Sequence, residues 1–436
     1  LPLVDELLET PQLKALTKKF NRNVVVSRVR AMIGDLTAEV SDAAANRQFP
    51  DLAELADRIA RRLRSDDRAA PCPVVNATGA LWPADLGSPP LADDAVTSVA
   101  IAARETVELS NLREATDESL RLLAGCEASA VAASFPAAVL WTLAALSHDA
   151  ELVIARGHVI ETSDGQRLGE TARSAGARLR EIGAANRTTR DDYARALCEH
   201  TGAVLWVDVG RGAPSLREVA EVAHARGVRV VAIVEAATLG DVISTDLAVP
   251  SVATLLADGA DVVVFPGDRF IGGPSVGFVV GRRRELDRLQ SHSLRIALRA
   301  DASALAGLQA TLALSRDSVV AQQSIPVLRL LHTPLENLRL RAEHLVEQIR
   351  GSEQIESVVC IERTGAVFSR WTLPTWCVVL RPAEGDATRF ASRLRDASPS
   401  LAVRVEGEQI VIDLRSVLPR QDQTIVAALT SDHHRI

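Results

Sequence analysis

Asp261-Val-Val-Val-Phe265 runs directly into Pro266-Gly267-Asp268-Arg269-Phe270-Ile271-Gly272-Gly273-Pro274, and this stretch decides how the chain is read. Three consecutive valines between an acidic start and a Pro-Gly stop predict a short buried strand. The glycine-rich turn then stands at the strand's carboxyl end, where open α/β sheets place their ligands. On these residues alone the turn serves equally as a tight loop that needs glycine for backbone reasons.

Working outward, similar apolar runs occur at Leu152–Ala155, Ala203–Val207, Val228–Val234 and Val276–Val280. Helical stretches separate them. The best marked is opened by the capping box Ser215-Leu-Arg-Glu218, with Gly227 suited to the C′ position. Apolar strands alternating with helices predict a mostly parallel sheet covered on both faces. The uncharged run Ala128–Ser147 is long enough for a membrane span, but it is rich in Ala and Ser and holds Pro136, so a buried helix is expected.

Upstream, residues 1–66 read as a helical domain, with Leu3, Leu7, Leu8, Leu13 and Leu16 near helical spacing. Downstream, a boundary near Pro326 precedes Thr333-Pro334-Leu335-Glu336, read as N-cap, N1 proline and N3 glutamate of a helix ending near Arg350. Strands at Thr372–Leu380 and Gln409–Leu414 with a helix at Ala387–Ala397 complete a smaller α+β domain. The expected division is 1–66, 67–325 and 326–436.

The 436 residues are 47% hydrophobic and 24% charged, the balance of a globular chain. A net charge of −7 argues against wholesale coating of nucleic acid, and no DNA partner is expected. Only Lys14, Lys18 and Lys19 are lysines, against 46 arginines. Lys14, Lys18, Lys19, Arg22, Arg28 and Arg30 outweigh Asp5, Glu6 and Glu9 in the first thirty residues, for a net +3. That run is either a solvated helix face or a small module facing an anion or RNA. Five cysteines, an odd number without a CxxC pair, suggest reduced thiols. Leu1–Glu6 lacks a basic n-region and a long apolar core, so no signal peptide is expected and a cytoplasmic location is. GxxxxGK[ST], HExxH and a GxGxxG after a strand are all missing, and no metal site is expected.

Several ordered segments together make the chain resemble bacterial selenocysteine synthase, the pyridoxal-phosphate family of L-seryl-tRNA(Sec) selenium transferases. Val75-Asn-Ala-Thr-Gly79 is similar to the family's entry to its large domain. Glu181-Ile-Gly-Ala-Ala-Asn-Arg-Thr188, with Asp192-Tyr193 just downstream, is similar to the family's EVGTTNRT segment. Gly267–Pro274 is similar to GDKLLGGP, Leu298-Arg299-Ala300-Asp301 to LRVD, and Ile412–Val417 to LDLRTV. The resemblance implies an α/β fold of type I among pyridoxal-phosphate enzymes, with an N-terminal helical domain that contacts tRNA and a small C-terminal α+β domain. It also implies ring-like homo-oligomers of dimers with active sites at dimer interfaces.

The same resemblance exposes departures. The family's Schiff-base lysine is here Arg269, beside Asp268. A guanidinium stays protonated and offers no amine lone pair to an aldehyde, and residues 20–436 contain no lysine to replace it. The family aspartate that pairs the pyridinium nitrogen is Ile233, with Glu235 two residues on. The arginine after the family's NLG is Ser88, a GKRGSR stretch is missing near Arg113–Asp117, and one arginine of KRALR is Ile296 while Arg299 stays. Residues set against the cofactor become Ser134, Phe135 and Pro136.

Three readings are open. The first is a non-catalytic relative with a binding or assembly role, partnered by itself, an active relative or tRNA(Sec), and needing no cofactor. The second is an active selenium transferase that holds pyridoxal phosphate non-covalently, with Arg269 as a bidentate anion donor. The third is a cofactor-free enzyme using Asp268, Arg269, Glu235, Asp208 and Arg299, for which no spacing names a reaction.

Overall fold

The computed structural model describes residues 4–17, 22–27, 29–31, 33 and 56, and residues 72–430 apart from 148–149, 211, 241–246, 384–385 and 398–399. The chain divides into two compact units, Leu1–Val74 and Val75–Ile436. In the first, helices Val4–Leu8 and Pro11–Thr17 bury Leu7 and Leu13 with Val25, Val29 and Ala56.

The second unit is built on a seven-stranded sheet. Its strands are β1 (Ala128–Ala132), β2 (Glu151–Ala155), β3 (Arg178–Ile182), β4 (Thr201–Val207), β5 (Arg229–Ile233), β6 (Val262–Pro266) and β7 (Gly277–Gly281). Their spatial order is β1-β7-β6-β5-β4-β2-β3. β3, β2, β4, β5 and β6 run parallel, and β7 runs antiparallel to both β6 and β1. The apolar runs are continuous because both faces are covered. Along β5, Val230 and Ala232 enter one core while Val231 and Ile233 enter the other. Helices Leu109–Ala124, Leu216–His224 and Ala302–Leu314 pack on the first face, and Phe135–Ser147 and Arg283–Ser291 on the second.

A second sheet comes later in the chain, with strands β8 (Ile355–Phe368), β9 (Trp371–Pro382), β10 (Arg404–Glu406) and β11 (Gln409–Asp413). It is antiparallel in the order β10-β11-β9-β8. Helices Leu335–Ile349 and Ala387–Asp396 bury Leu338, Leu345, Phe390 and Leu394 against its Ile410 and Ile412.

Two expectations need correction. Ala128–Ser147 is not one buried helix. It is edge strand β1, then a helix beginning at Phe135, because alternate residues of β1 bury and pair with β7. Nor does Thr333 cap the helix Leu335–Ile349. Pro334 holds that position, and the Thr333 hydroxyl donates backward to Arg329 O at 2.7 Å. The capping box at Ser215 and Glu218 forms as expected. All five cysteines are free, and among the described residues no helix is long and apolar enough to cross a membrane.

Candidate functional site

The loop after β6 is closed by its own backbone. Gly267 N donates to Val276 O at 2.8 Å, and Gly273 N donates to Gly267 O at 2.9 Å. Gly272 has φ +71°, and a Cβ there would collide with Ile325 and stand 2.7 Å from Val327 Cγ1. Glycine is therefore required for space as well as conformation. Phe270 anchors the loop in an aromatic cluster, with ring centroids 5.1 Å from Trp82, 5.8 Å from Trp371 and 6.2 Å from Phe368.

Anchoring Phe270 places Asp268 and Arg269 at the base of an open cleft of about 950 Å³. Arg269 is buried at 7% exposure. Its Nη2 pairs with Asp164 Oδ1, and its Nη1 donates to Asp268 Oδ2 at 3.3 Å. The guanidinium carbon lies 5.3 Å from the Phe368 ring centroid and 5.9 Å from that of Trp82. Its Nε is buried and has no hydrogen-bond partner. Asp268 is fixed in turn: Ser88 Oγ donates to Oδ2 at 2.5 Å, and Trp82 Nε1 donates to its carbonyl at 2.9 Å.

The far wall is the turn 161–165. Glu235, just past β5, accepts from Ser163 N at 2.5 Å, and Glu161 pairs with Arg167 at 3.0 Å. The turn comes after His158, a buried ring whose Nδ1 accepts from Val207 N at 3.2 Å. Burial pushes its pKa down to about 4, against a smaller opposing pull from Asp208, so the ring is neutral near pH 7.

The structure thus brings Ser88, Glu235, Asp268 and Arg269 together. Ile233 is buried in the core beneath, while Glu235 reaches the cleft. Ser134 Oγ accepts from Ala137 N at 3.2 Å, and Phe135 packs in the core; neither lines the cleft. Arg299 lines a different cavity, of about 350 Å³, with Arg113 and Arg295, and the two cavities share no residue. Burial, then the charges of Arg299 and Arg295, lowers the Arg113 pKa. Asp208 is taken by Arg370, at 2.6 Å. In the N-terminal unit, Lys14 lies 2.5 Å from Glu9 and holds that carboxyl below its usual pKa. Arg22 and Arg30 are exposed; Lys18, Lys19 and Arg28 fall outside the described residues. Among the described residues, no group of three or more His, Cys, Asp or Glu is placed to hold a metal ion.

Asp164 is the residue that sequence reasoning missed. It lies 105 positions from Arg269, and only its place in the turn Ser163-Asp164-Gly165 marked it at all.

These residues do not fit pyridoxal phosphate. The loop offers a guanidinium instead of an amine, and residues 75–436 contain no lysine. Among the described lining residues are four carboxylates, Glu161, Asp164, Glu235 and Asp268, against the one arginine Arg269, which Asp164 and Asp268 already engage while Glu161 pairs with Arg167. A phosphate placed there meets excess negative charge.

Known proteins place this geometry in a family. The sequence model of the family described as L-seryl-tRNA selenium transferase matches residues 74–418. The L-seryl-tRNA(Sec) selenium transferase of Moorella thermoacetica is 32% identical over 451 aligned positions, covering 98% of this chain and 95% of its own. That of Desulfovibrio desulfuricans is 33% identical over 392, covering 84% and 82%. Among solved structures, D-glucosaminate-6-phosphate ammonia-lyase superposes with a TM-score of 0.61 at 20% identity, covering 88% of this chain and 98% of the other. The fold is type I of the pyridoxal-phosphate enzymes, an α/β architecture with a mostly parallel central sheet. With a match across its sheet, its cleft loop and its C-terminal signature, the chain belongs to the L-seryl-tRNA selenium transferase family.

Proposed function

We propose that this chain is a member of that family which has lost Schiff-base catalysis and keeps a binding or assembly role. One observation carries the reading: the residue in the catalytic lysine's place is Arg269, buried and already neutralised by Asp164 and Asp268. A side chain held this way is a strut between loops, and its guanidinium has no lone pair for covalent work. Ile233 supports the same conclusion, since an aliphatic side chain gives no charge partner to a ring nitrogen.

The retained scaffold suggests retained partners. The relatives are named for seryl-tRNA(Sec), so tRNA(Sec) is the proposed nucleic-acid partner. Lys14, Lys18, Lys19, Arg22, Arg28 and Arg30 are its proposed contacts, in an N-terminal helical domain (1–66) ahead of a large α/β domain (67–325) and a small domain (326–436). Assembly as a homo-oligomer of dimers, or with an active relative, and a cytoplasmic location belong to the same proposal.

The test is direct. The purified chain, supplied with excess pyridoxal phosphate, charged tRNA(Sec) and a selenium donor, is expected to show no selenium transfer above background, which overturns the reading if it occurs, and no borohydride-fixed phosphopyridoxyl group in residues 75–436 by peptide mass spectrometry. A fixed group there overturns the reading. Binding is expected to favour tRNA(Sec) over bulk tRNA and to weaken steeply with salt, since contacts to phosphates release counterions.

A further inference from the structure

We infer that Asp164 determines what the cleft rejects: it is the resident anion of the Arg269 guanidinium and keeps phosphate-bearing ligands out. The inference rests on the reading of Arg269 as a strut and extends it to a specificity rule.

Of the two carboxylates on the guanidinium, Asp268 is not free to leave. It is the neighbouring residue, 5% exposed, and is held by Ser88 Oγ and through its carbonyl by Trp82. Asp164 is different. Its side chain is 33% exposed and it sits on a turn closed by Gly165 N to Thr162 O at 2.9 Å and Gln166 N to Thr162 Oγ1 at 3.2 Å. Glu235 positions that turn by accepting from Ser163 N, so Asp164 is delivered to the guanidinium by a separate loop.

What Asp164 covers is informative. It takes Nη2, while Nε, on the same edge of the guanidinium, is buried with no partner. That edge is the fork that receives an oxyanion through two parallel N–H donors. One carboxylate oxygen fills half of it. Two aromatic rings lie beside the guanidinium and offer no competing acceptor. Neutralising Asp164 therefore leaves a preformed fork covered only by an exchangeable neutral group and removes the nearest repelling charge.

The experiment is calorimetric titration of the full chain with inorganic phosphate and with 4′-deoxypyridoxine 5′-phosphate. The second probe carries the phosphate but no aldehyde, so Lys14, Lys18 and Lys19 cannot react with it. The wild-type chain is expected to give no saturable binding of either probe in the cleft. Asp164→Asn is expected to make both saturable, at least tenfold tighter than the weakest binding the titration can read, and Asp164→Asn combined with Arg269→Gln to abolish the gain. Asp164→Ser serves as the second neutral variant, with urea midpoints confirming that each is folded. Unchanged binding in both single variants overturns the inference, as does a gain that survives Arg269→Gln. The aldehyde-free probe reads only anion recognition. The inference can therefore fail while the borohydride result stands, and the reverse.

Discussion

The cleft loop and the C-terminal clasp both bury charge at the end of a strand, and they hold it by different close contacts. In the clasp, Asp413 is fully buried at the end of β11. Its Oδ1 accepts from Thr375 Oγ1 at 2.6 Å and from Arg415 N at 3.0 Å. Arg415 reaches away, donating to Thr333 O at 2.7 Å, Leu330 O at 3.3 Å and Pro374 O. Ser416 Oγ accepts from Gly79 N at 2.8 Å and donates to Asn76 O at 2.9 Å, 340 positions away. The two terminal segments that resemble family signatures are therefore halves of one fastening. Gly79 has φ +86°, and any Cβ there would collide with the Asp413 carboxyl. Neutral hydroxyls and backbone groups make the clasp's close hydrogen bonds, and the one arginine beside Asp413, Arg404, stands off at 3.6 Å from Oδ2. In the cleft, charge is set against charge, Arg269 against Asp164 and Asp268. The first arrangement fixes one geometry, and the second can be rebalanced by changing one residue.

The largest effect separating the two regions is expected from Asp413→Ala. It strips acceptors from Thr375 and Arg415 N inside a dry site and leaves a void beside Gly79. A loss of about 3–5 kcal/mol in urea unfolding is expected. Asp164→Asn should cost far less, because Asp268 still engages the guanidinium and the turn faces solvent. Equal losses would erase the distinction between clasp and cleft.

A smaller effect is expected from pH. His158 holds the base of the turn that carries Asp164, with its pKa depressed from 6.5 to about 4 by burial. Below 6.5 the unfolded chain binds the proton that the folded ring refuses. Stability from this group is thus complete above pH 6.5 and is lost as pH falls toward 4, by up to about 3 kcal/mol. Burial lowers the Arg415 pKa only to about 10, so the clasp cation stays protonated throughout that range. Urea midpoints of wild type and His158→Gln, compared at pH 7 and pH 4.5, should converge at the lower pH. Parallel curves would show that the ring does not titrate with folding.

How much of this was legible in the sequence depended on chain distance. The parallel sheet was, because β2, β4, β5 and β6 are apolar on both faces and read as continuous β-branched runs. β1 was not. Ala-Ser-Ala-Val-Ala has weak strand propensity, and its pairing with β7 lies about 150 residues away. β3 was hidden for a related reason. As an edge strand it carries Arg178, Arg180 and Glu181, charges that blunt an edge and mimic a loop. At the site, arginine at position 269, where the resemblance implies a lysine, was visible in the sequence. Its carboxylate partner was not, since nothing local ties Asp164 to Arg269. The LDLRTV-like segment was recognisable, but its role as a fastening needed the backbone of residues 76–79 beside it.

The smallest effect expected is also the sharpest test of the cleft's side of the comparison: Arg269→Lys alone should leave seryl-tRNA(Sec) selenium transfer at background. The new amine would sit between Asp164 and Asp268. Two nearby carboxylates favour its ammonium form, whereas a nucleophile needs the free base. Ile233 would still offer no charge to a ring nitrogen, and Ser88 would still bring only a neutral hydroxyl to the cleft. The ammonium replaces one cation by another, so the fold should be little changed, though it cannot reproduce the guanidinium's two-pronged contact with Asp164 and Asp268. Single-turnover assays with charged tRNA read the outcome. Robust turnover would mean that one side chain separates strut from catalyst, and that Asp164, Ile233 and Ser88 do not determine the chemistry. Background activity together with an unchanged urea midpoint would place the proposed loss in the whole constellation around Arg269 and not in one side chain.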